Sequence, residues 1–245
     1  MKAMILAAGV GSRLRPLTDT CPKALIDLNG VPMLEIVLRR LINVGCTEVV
    51  INVFHLAEMI VDFLRARNDF GIRIEISRET ELLDTGGGLQ KMAGFFDDGR
   101  PFIVHNVDVL SNLDLSKMYR FHVENASLAT LAVQDRITSR YFLFDEKGVL
   151  RGWESVKENR VEWAGTPLAD FQRLAFNGIH VISPEIFSKM REGGAFSIIQ
   201  TYLHLAGEGE KILAFRMDDY YWRDLGRLEK FEEARREMKE MNLAL

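Results

Sequence analysis

The spacing of apolar residues changes period along the chain. Lys2–Leu6 is a short apolar run, Glu48–Val53 and Ile72–Ile76 are rich in β-branched residues, and Pro101–His105 is a further apolar run. Short runs of this kind predict strands. Between them the period is helical. Pro32–Val44 places Leu34, Val37, Leu38, Leu41 and Val44 on one face, and Pro32 suits a first turn. Leu56–Arg67 repeats the pattern with Leu56, Ile60, Phe63 and Leu64. This β-α-β-α alternation predicts an α/β fold in three layers, a mainly parallel mixed sheet with helices on both faces. Ligands of such sheets bind at the carboxyl ends of the strands. The loop after the first strand and the segment Asn106–Asp108 should both open there.

The second half is less regular. Leu128–Val133, Tyr141–Phe144, Val149–Trp153 and Leu174–Ile182 read as strands, and Pro184–Met190 and Phe196–Leu205 as helices. Lys157–Phe171 has no clear period, which predicts a loop or hairpin over the site. Arg227–Met241 is an amphipathic helix whose stripe is Leu228, Phe231, Ala234 and Met238, a pattern that points to packing. No repeat, low-complexity tract or linker divides the 245 residues, so we expect a single domain.

Composition narrows the class. The hydrophobic fraction of 47% suffices for a packed core, and no run approaches the ~20 apolar residues of a membrane span. A net charge of -4 argues against nucleic-acid binding. Cys21 and Cys46 have neither metal-ligand spacing nor enough partners for a disulfide framework. Met1 runs straight into the first strand without a signal-peptide layout, so a soluble cytoplasmic protein is expected.

Against this acidic background, the loop after the first strand carries Arg13, Arg15 and Lys23. A local basic cluster in an acidic chain points to a phosphorylated ligand. Gly9 and Gly11 let backbone N–H groups approach an anion. The loop is neither of the familiar phosphate motifs. Ser12-Arg13 follows the second glycine where a Walker loop has Lys-Ser/Thr, and Leu14 stands where a dinucleotide fingerprint has its third glycine.

The whole string LAAGVGSRLRPLTDTCPKAL, residues 6–25, resembles the signature of the sugar-1-phosphate nucleotidylyltransferases. Glu81-Leu82-Leu83-Asp84-Thr85-Gly86-Gly87-Gly88 is similar to the family's base-reading loop, E-x-L-x-T-x-G. Val104-His105-Asn106-Val107-Asp108 matches its metal aspartate, with Val107 where the family usually has glycine. Trp222-Arg223-Asp224-Leu225-Gly226 resembles W-x-D-x-G, and Phe176-Asn177-Gly178-Ile179 its sugar-contacting segment.

The resemblance implies a Rossmann-like nucleotidyltransferase fold and the reaction of a nucleoside triphosphate with a sugar 1-phosphate, giving an NDP-sugar and pyrophosphate. It implies catalytic roles for Arg13 and Lys23. Nucleotide contacts fall to Ala8, Gly9, Gly11, Ser12, Arg13, Glu81, Thr85, Gly86, Gly87 and Asn106. The sugar phosphate falls to Lys23, Asn177 and Gly178, and Mg²⁺ to Asp108 and Asp224. Read without the family, Thr85 and its glycines are a capped turn, Asn177-Gly178 a bulged strand, and Asp224 a cap for the last helix. His105 reads as a packed strand-end residue.

A V-E-K-P-like motif common in the family is missing. The comparable region reads Trp153-Glu154-Ser155-Val156-Lys157-Glu158. Short uridylyltransferases acting on N-acetylmuramate 1-phosphate in peptidoglycan recycling also lack it, and they share the opening Met1-Lys2-Ala3-Met4-Ile5-Leu6. The resemblance thus favours UTP with N-acetylmuramate 1-phosphate, in a monomer or homodimer without the β-helical tail of longer relatives. The alternatives are GTP with mannose 1-phosphate, dTTP with glucose 1-phosphate, CTP with phosphocholine, or a non-catalytic regulatory protein that binds a nucleotide sugar.

Overall fold

The computed structural model describes residues 1–241, with side chains through Glu237. Its elements run β1 (Lys2–Leu6), β2 (Asp27–Leu28), β3 (Val31–Pro32), α1 (Met33–Asn43), β4 (Glu48–Val53), α2 (Ala57–Ala66), β5 (Arg73–Arg78) and α3 (Asp84–Lys91). There follow β6 (Phe102–Asn106), β7 (Val109–Ser111), α4 (Leu115–Glu124), β8 (Ala129–Gln134), β9 (Arg140–Phe144), β10 (Leu150–Ser155) and β11 (Arg160–Trp163). The chain continues with β12 (Gln172–Ile182), α5 (Ile186–Lys189), α6 (Ile198–Gly207), β13 (Ile212–Arg216), β14 (Trp222–Asp224) and α7 (Leu228–Met241). No helix of the described residues is long and apolar enough to cross a membrane.

The chain divides into two compact units. The first comprises Met1–Leu82, Val104–Asn112 and the chain from Tyr221 onward. Its main strands are the expected parallel set. β1 pairs with β4 from Lys2↔Glu48 to Leu6↔Asn52, and β4 with β5 from Glu48↔Arg73 to Val53↔Arg78. Ala3, Met4, Ile5, Val49, Val50 and Ile51 are all fully buried. Burial of consecutive residues, not alternate ones, is what a strand covered on both faces requires. α1 buries Met33, Leu34, Ile36, Val37, Leu38 and Leu41, and each large side chain contributes about 1.5–3 kcal/mol of transfer free energy. Pro32 ends β3 just before that helix. Leu56, expected inside the second helix, instead precedes it with φ 53.

A second core of this unit lies close to the site in sequence. It gathers Leu14, Ile26, Leu28, Met33, Ile36, Leu110, Leu225, Phe231 and Ala234. Phe231 and Ala234 therefore pack as the terminal stripe predicts, whereas Leu228 is 38% exposed. The Met238 side chain lies outside the described residues.

The second unit comprises Leu83–Ile103 and Leu113–Tyr220. Here antiparallel pairing prevails: β12 with β8 and β9, β9 with β10, and β10 with β11, while β13 runs parallel to β8. The aperiodic stretch after Lys157 contains β11, the return strand of a hairpin in the register Ser155↔Arg160. α5 is shorter than the span expected, Ile186–Lys189. α4 and β13 escaped the pattern analysis. α4 buries only Leu115, Met118 and a histidine, too thin a stripe to read, and is started by Asp114, whose carboxylate accepts from the Lys117 N–H at 2.8 Å.

Candidate active site

β1 delivers the glycine loop. Ala8 is buried, whereas Gly9, Ser12 and Arg13 face solvent. Gly11 turns the chain at φ +69, and a Cβ there would lie 2.7 Å from Thr18 Cγ2 and 3.1 Å from Lys23 Cβ. Only glycine suits that position on both counts. Thr18 Oγ1 donates to Gly11 O at 2.9 Å, and Leu14 N–H donates to the same oxygen at 2.8 Å. Leu14, fully buried, pins the loop while its neighbour Arg13 stays exposed. Beneath the loop, Ala7 N–H donates to Asn52 Oδ1 at 2.7 Å and Asn52 Nδ2 to Glu79 Oε1 at 2.7 Å. The partners stand 45 and 27 residues apart, so no sequence spacing reveals this support.

The two candidate metal aspartates are brought together by one small ladder. β7 begins just after Asp108 and β14 ends in Asp224, paired antiparallel as Trp222↔Ser111, Arg223↔Leu110 and Asp224↔Val109. Leu225 N–H donates to Asp108 O at 2.8 Å and closes the end of the ladder. Leu110 and Leu225 are buried in the second core, which anchors both strands next to their aspartates.

Gly226 marks where the charges converge. A Cβ on it would lie 2.8 Å from Asp224 Oδ1, 3.1 Å from Arg13 Nη2 and 3.1 Å from Asp108 Oδ2. Gly226 N–H donates to Asp224 Oδ1 at 2.7 Å, so Asp224 shapes the turn before α7. Lys23 Nζ donates to Asp108 Oδ2. This places Arg13, Lys23, Asp108 and Asp224, predicted from separate motifs, in one cluster.

The arrangement fits a Mg²⁺ ion. Two carboxylate oxygens, Asp108 Oδ2 and Asp224 Oδ1, converge beside Gly226, where the absence of a side chain leaves room for them. Mg²⁺ is commonly held by one or two carboxylates, with substrate phosphates and water completing the shell. Among the described residues, no group of three or more His, Cys, Asp or Glu could hold a metal by itself. Val107, at the family's glycine position, is 4% exposed and its N–H donates to Leu6 O at 3.1 Å, so its side chain packs.

Several other polar groups of this unit serve as supports. His105 is fully buried, and its Nδ1 meets Asn106 O at 2.8 Å. Burial pushes its imidazole down to about 3, helped by the Arg40 charge, so it is a neutral, weak base packed at a strand end. Arg40, itself lowered to about 10 by burial, donates to Ser111 O and so holds β7. Glu237 of α7 accepts from Tyr221 Oη at 2.7 Å and Arg223 Nη2 at 2.6 Å, bracing β14. Glu81 belongs to this unit and is exposed.

Thr85, Gly86, Gly87, Asn177 and Gly178 belong to the second unit. Thr85 Oγ1 accepts from Ile198 N–H at 3.0 Å, at the start of α6. Gly86 and Gly87 N–H both donate to Phe196 O, at 2.9 and 3.3 Å. A Cβ on Gly86 would meet the Phe196 ring at 2.3 Å, and one on Gly87 would meet Gly194 O at 2.2 Å. The run of glycines thus admits the segment Gly194–Phe196 against α3.

Asn177 is 1% exposed; its Oδ1 accepts from Arg136 Nε at 3.0 Å and its Nδ2 donates to Gln134 Oε1 at 3.2 Å. Gly178 has φ +74, and the β12–β8 register shifts between Phe176 and His180. The bulged strand is therefore present, and the Asn177 amide is engaged at both ends by its own unit.

Known proteins extend the picture. A UTP–glucose-1-phosphate uridylyltransferase of Synechocystis sp. is 31% identical over 252 residues, covering 96% of this chain and 62% of the relative. An N-acetylmuramate α-1-phosphate uridylyltransferase of Neisseria meningitidis serogroup B is 44% identical over 121 residues, 49% of this chain and 52% of that protein. The chain therefore spans less than two thirds of the length of either relative. Among solved structures, HddC from Yersinia pseudotuberculosis, complexed with GMP-PN, has the same fold with a TM-score of 0.76, at 21% identity over 97% of this chain and 99% of that chain. Residues 2–241, almost the whole of this chain, match the nucleotidyl transferase family, and the chain belongs to that family.

Proposed function

We propose that this protein is a sugar-1-phosphate nucleotidylyltransferase, forming an NDP-sugar and pyrophosphate from a nucleoside triphosphate and a sugar 1-phosphate. The observation that carries the reading is the meeting of Arg13, Asp108 and Asp224 within 3.1 Å of one point, with Lys23 on Asp108. The attacking sugar phosphate is already an anion at neutral pH, so the reaction needs no general base. It needs positioning and charge stabilisation.

Arg13, with the loop amides from Gly9 to Ser12, is assigned to the β- and γ-phosphates, where its planar fork makes paired hydrogen bonds. Lys23 neutralises the α-phosphate or the sugar phosphate as a point charge. Asp108 and Asp224 would hold Mg²⁺, which when bound supplies Lewis-acid stabilisation of phosphate charge. Glu81 and Asn106 are assigned to the nucleotide. The internal bonds of Thr85, Gly86, Gly87 and Asn177 favour roles for them in shaping the walls of the base and sugar sites.

The preferred substrates are UTP and N-acetylmuramate 1-phosphate. This rests on the shared short-enzyme motifs and on the 44% identity to the Neisseria protein over 121 residues. Pyrophosphate release with Mg²⁺ tests the reading, using UTP, GTP, dTTP and CTP against N-acetylmuramate, N-acetylglucosamine, mannose and glucose 1-phosphates. UTP with N-acetylmuramate 1-phosphate should be the productive pair. Asp108→Asn or Arg13→Ala should each lower kcat at least ~100-fold with the fold intact, the scale of losing one preorganised charge partner. Near-normal turnover in both would sink the assignment. Nucleotide binding without turnover of any pair would instead point to a regulatory binder or to a rarer acceptor that contacts residues 135–172.

A further inference from the structure

Lys23 and Asp108 make a pairing that the reaction cannot leave undisturbed. Their side chains are 11% and 16% exposed, so the ion pair is poorly screened by water. Asp108 is the only hydrogen-bonding partner of the Lys23 ammonium among the described residues. Lys23 is held there by its backbone: it opens a short 3-10 turn after Pro22, and the missing Cβ of Gly11 makes room for its stem.

The oxygen that Lys23 occupies, Asp108 Oδ2, is the one that reaches the point beside Gly226 with Asp224 Oδ1 and Arg13 Nη2. Two cations and two carboxylates thus meet there, and their formal charges cancel. A divalent cation by itself finds no net negative charge in such a cluster. A divalent cation bound at Asp108 Oδ2 would also face the Lys23 ammonium at close range.

We propose that Lys23 is a resident counter-cation of Asp108, releasing the carboxylate when a divalent cation arrives with a triphosphate and moving onto the phosphate. The inference deepens the proposed function and rests on its metal pair, Asp108 and Asp224. Lysine suits the exchange because its charge is compact and its stem flexible. Arginine's rigid fork suits the fixed clamp assigned to Arg13. The consequence is an order of assembly: the nucleotide-free protein takes up a divalent cation poorly, and the triphosphate supplies both the missing negative charge and the new partner for Lys23.

Electron paramagnetic resonance of free Mn²⁺ tests this without catalysis, in titrations with and without a non-hydrolysable UTP analogue. Without nucleotide, wild-type protein should bind Mn²⁺ weakly, and K23M or K23Q at least ~10-fold more tightly, the scale on which one neighbouring charge shifts a site. K23R keeps the charge and should restore weak binding. With the analogue, the advantage of K23M should shrink, because the phosphate has lost its lysine. Either neutral variant suffices once circular dichroism shows it folded. If both fold and neither binds Mn²⁺ more tightly while D108N abolishes binding, Lys23 is no counter-cation and the metal pair stands. If D108N and D224N leave Mn²⁺ binding unchanged with the analogue present, the metal pair itself is wrong and this proposal falls with it.

Discussion

Gly226→Ala isolates geometry from fold. The backbone of Gly226 lies outside the left-handed region, so alanine is conformationally acceptable there. Stiffening the unfolded chain would stabilise by about 0.4–1 kcal/mol. The new methyl, however, would sit 2.8 Å from Asp224 Oδ1 and 3.1 Å from both Asp108 Oδ2 and Arg13 Nη2. Carbon and carboxylate oxygen do not normally approach so closely, so the side chains must give way. All three atoms are at side-chain ends, and the cost of moving them is of order 1 kcal/mol, roughly offsetting the backbone gain.

Stability should therefore stay within about 1 kcal/mol of wild type, a Tm change of no more than ~4 °C for a chain of this size. Turnover is another matter. Displacing both carboxylates and Arg13 by up to ~1 Å should lower kcat about 10- to 100-fold. Thermal unfolding, pyrophosphate release and Mn²⁺ affinity measured on one preparation decide the point. Wild-type kcat and Mn²⁺ affinity in a folded G226A protein would refute the claim that this convergence is the working geometry. A collapse in Tm would show that Gly226 is required for folding.

Other consequences follow from packing and burial. Gly87→Ala should destabilise by about 1–3 kcal/mol in urea unfolding, because its methyl would meet the backbone oxygen of Gly194 at 2.2 Å. Gly86→Ala meets a ring instead, so adding Phe196→Leu should recover part of its loss; no recovery would mean that the ring is not the obstacle. Asn177→Ala removes the hydrogen bonds to Arg136 and Gln134 and should cost about 1.5–3 kcal/mol, as for a buried bond to a charged group. An unchanged unfolding midpoint would show that the network is slack. Burial holds His105 and His122 at about 3 and about 4, below their ordinary 6.5, so the unfolded chain takes up protons that the folded one refuses. Stability should be full above pH 6.5 and fall below it by about 1.4 kcal/mol per pH unit for each histidine, levelling as each folded-state value is passed. His122→Gln should flatten that slope, and an unaltered slope in stability–pH curves would exclude His122 as a cause.

The apolar periods alone specified the main parallel strands and the first helix. β1, β4, β5 and α1 stand where their patterns place them, because a strand covered on both faces and a helix covered on one leave plain periodic marks. The candidate chemistry was legible too: Arg13, Lys23, Asp108 and Asp224 all lie in contiguous motifs. Patterns fade where burial does not require a run of apolar residues. α4 exposes most of its surface, β11 is a hairpin return strand, and β7 and β14 are three residues each.

What the tertiary structure decided is how these pieces use one another. Only the β7–β14 register places Asp224 beside Val109 and so beside Asp108. Only folding discloses that the Lys23 ammonium lies on Asp108 and that the glycines after Thr85 admit Phe196 and Gly194. The physical reason is the range of the interactions. Periodicity records a residue's burial relative to its near neighbours, whereas a carboxylate 85 residues from its lysine leaves no trace in local spacing.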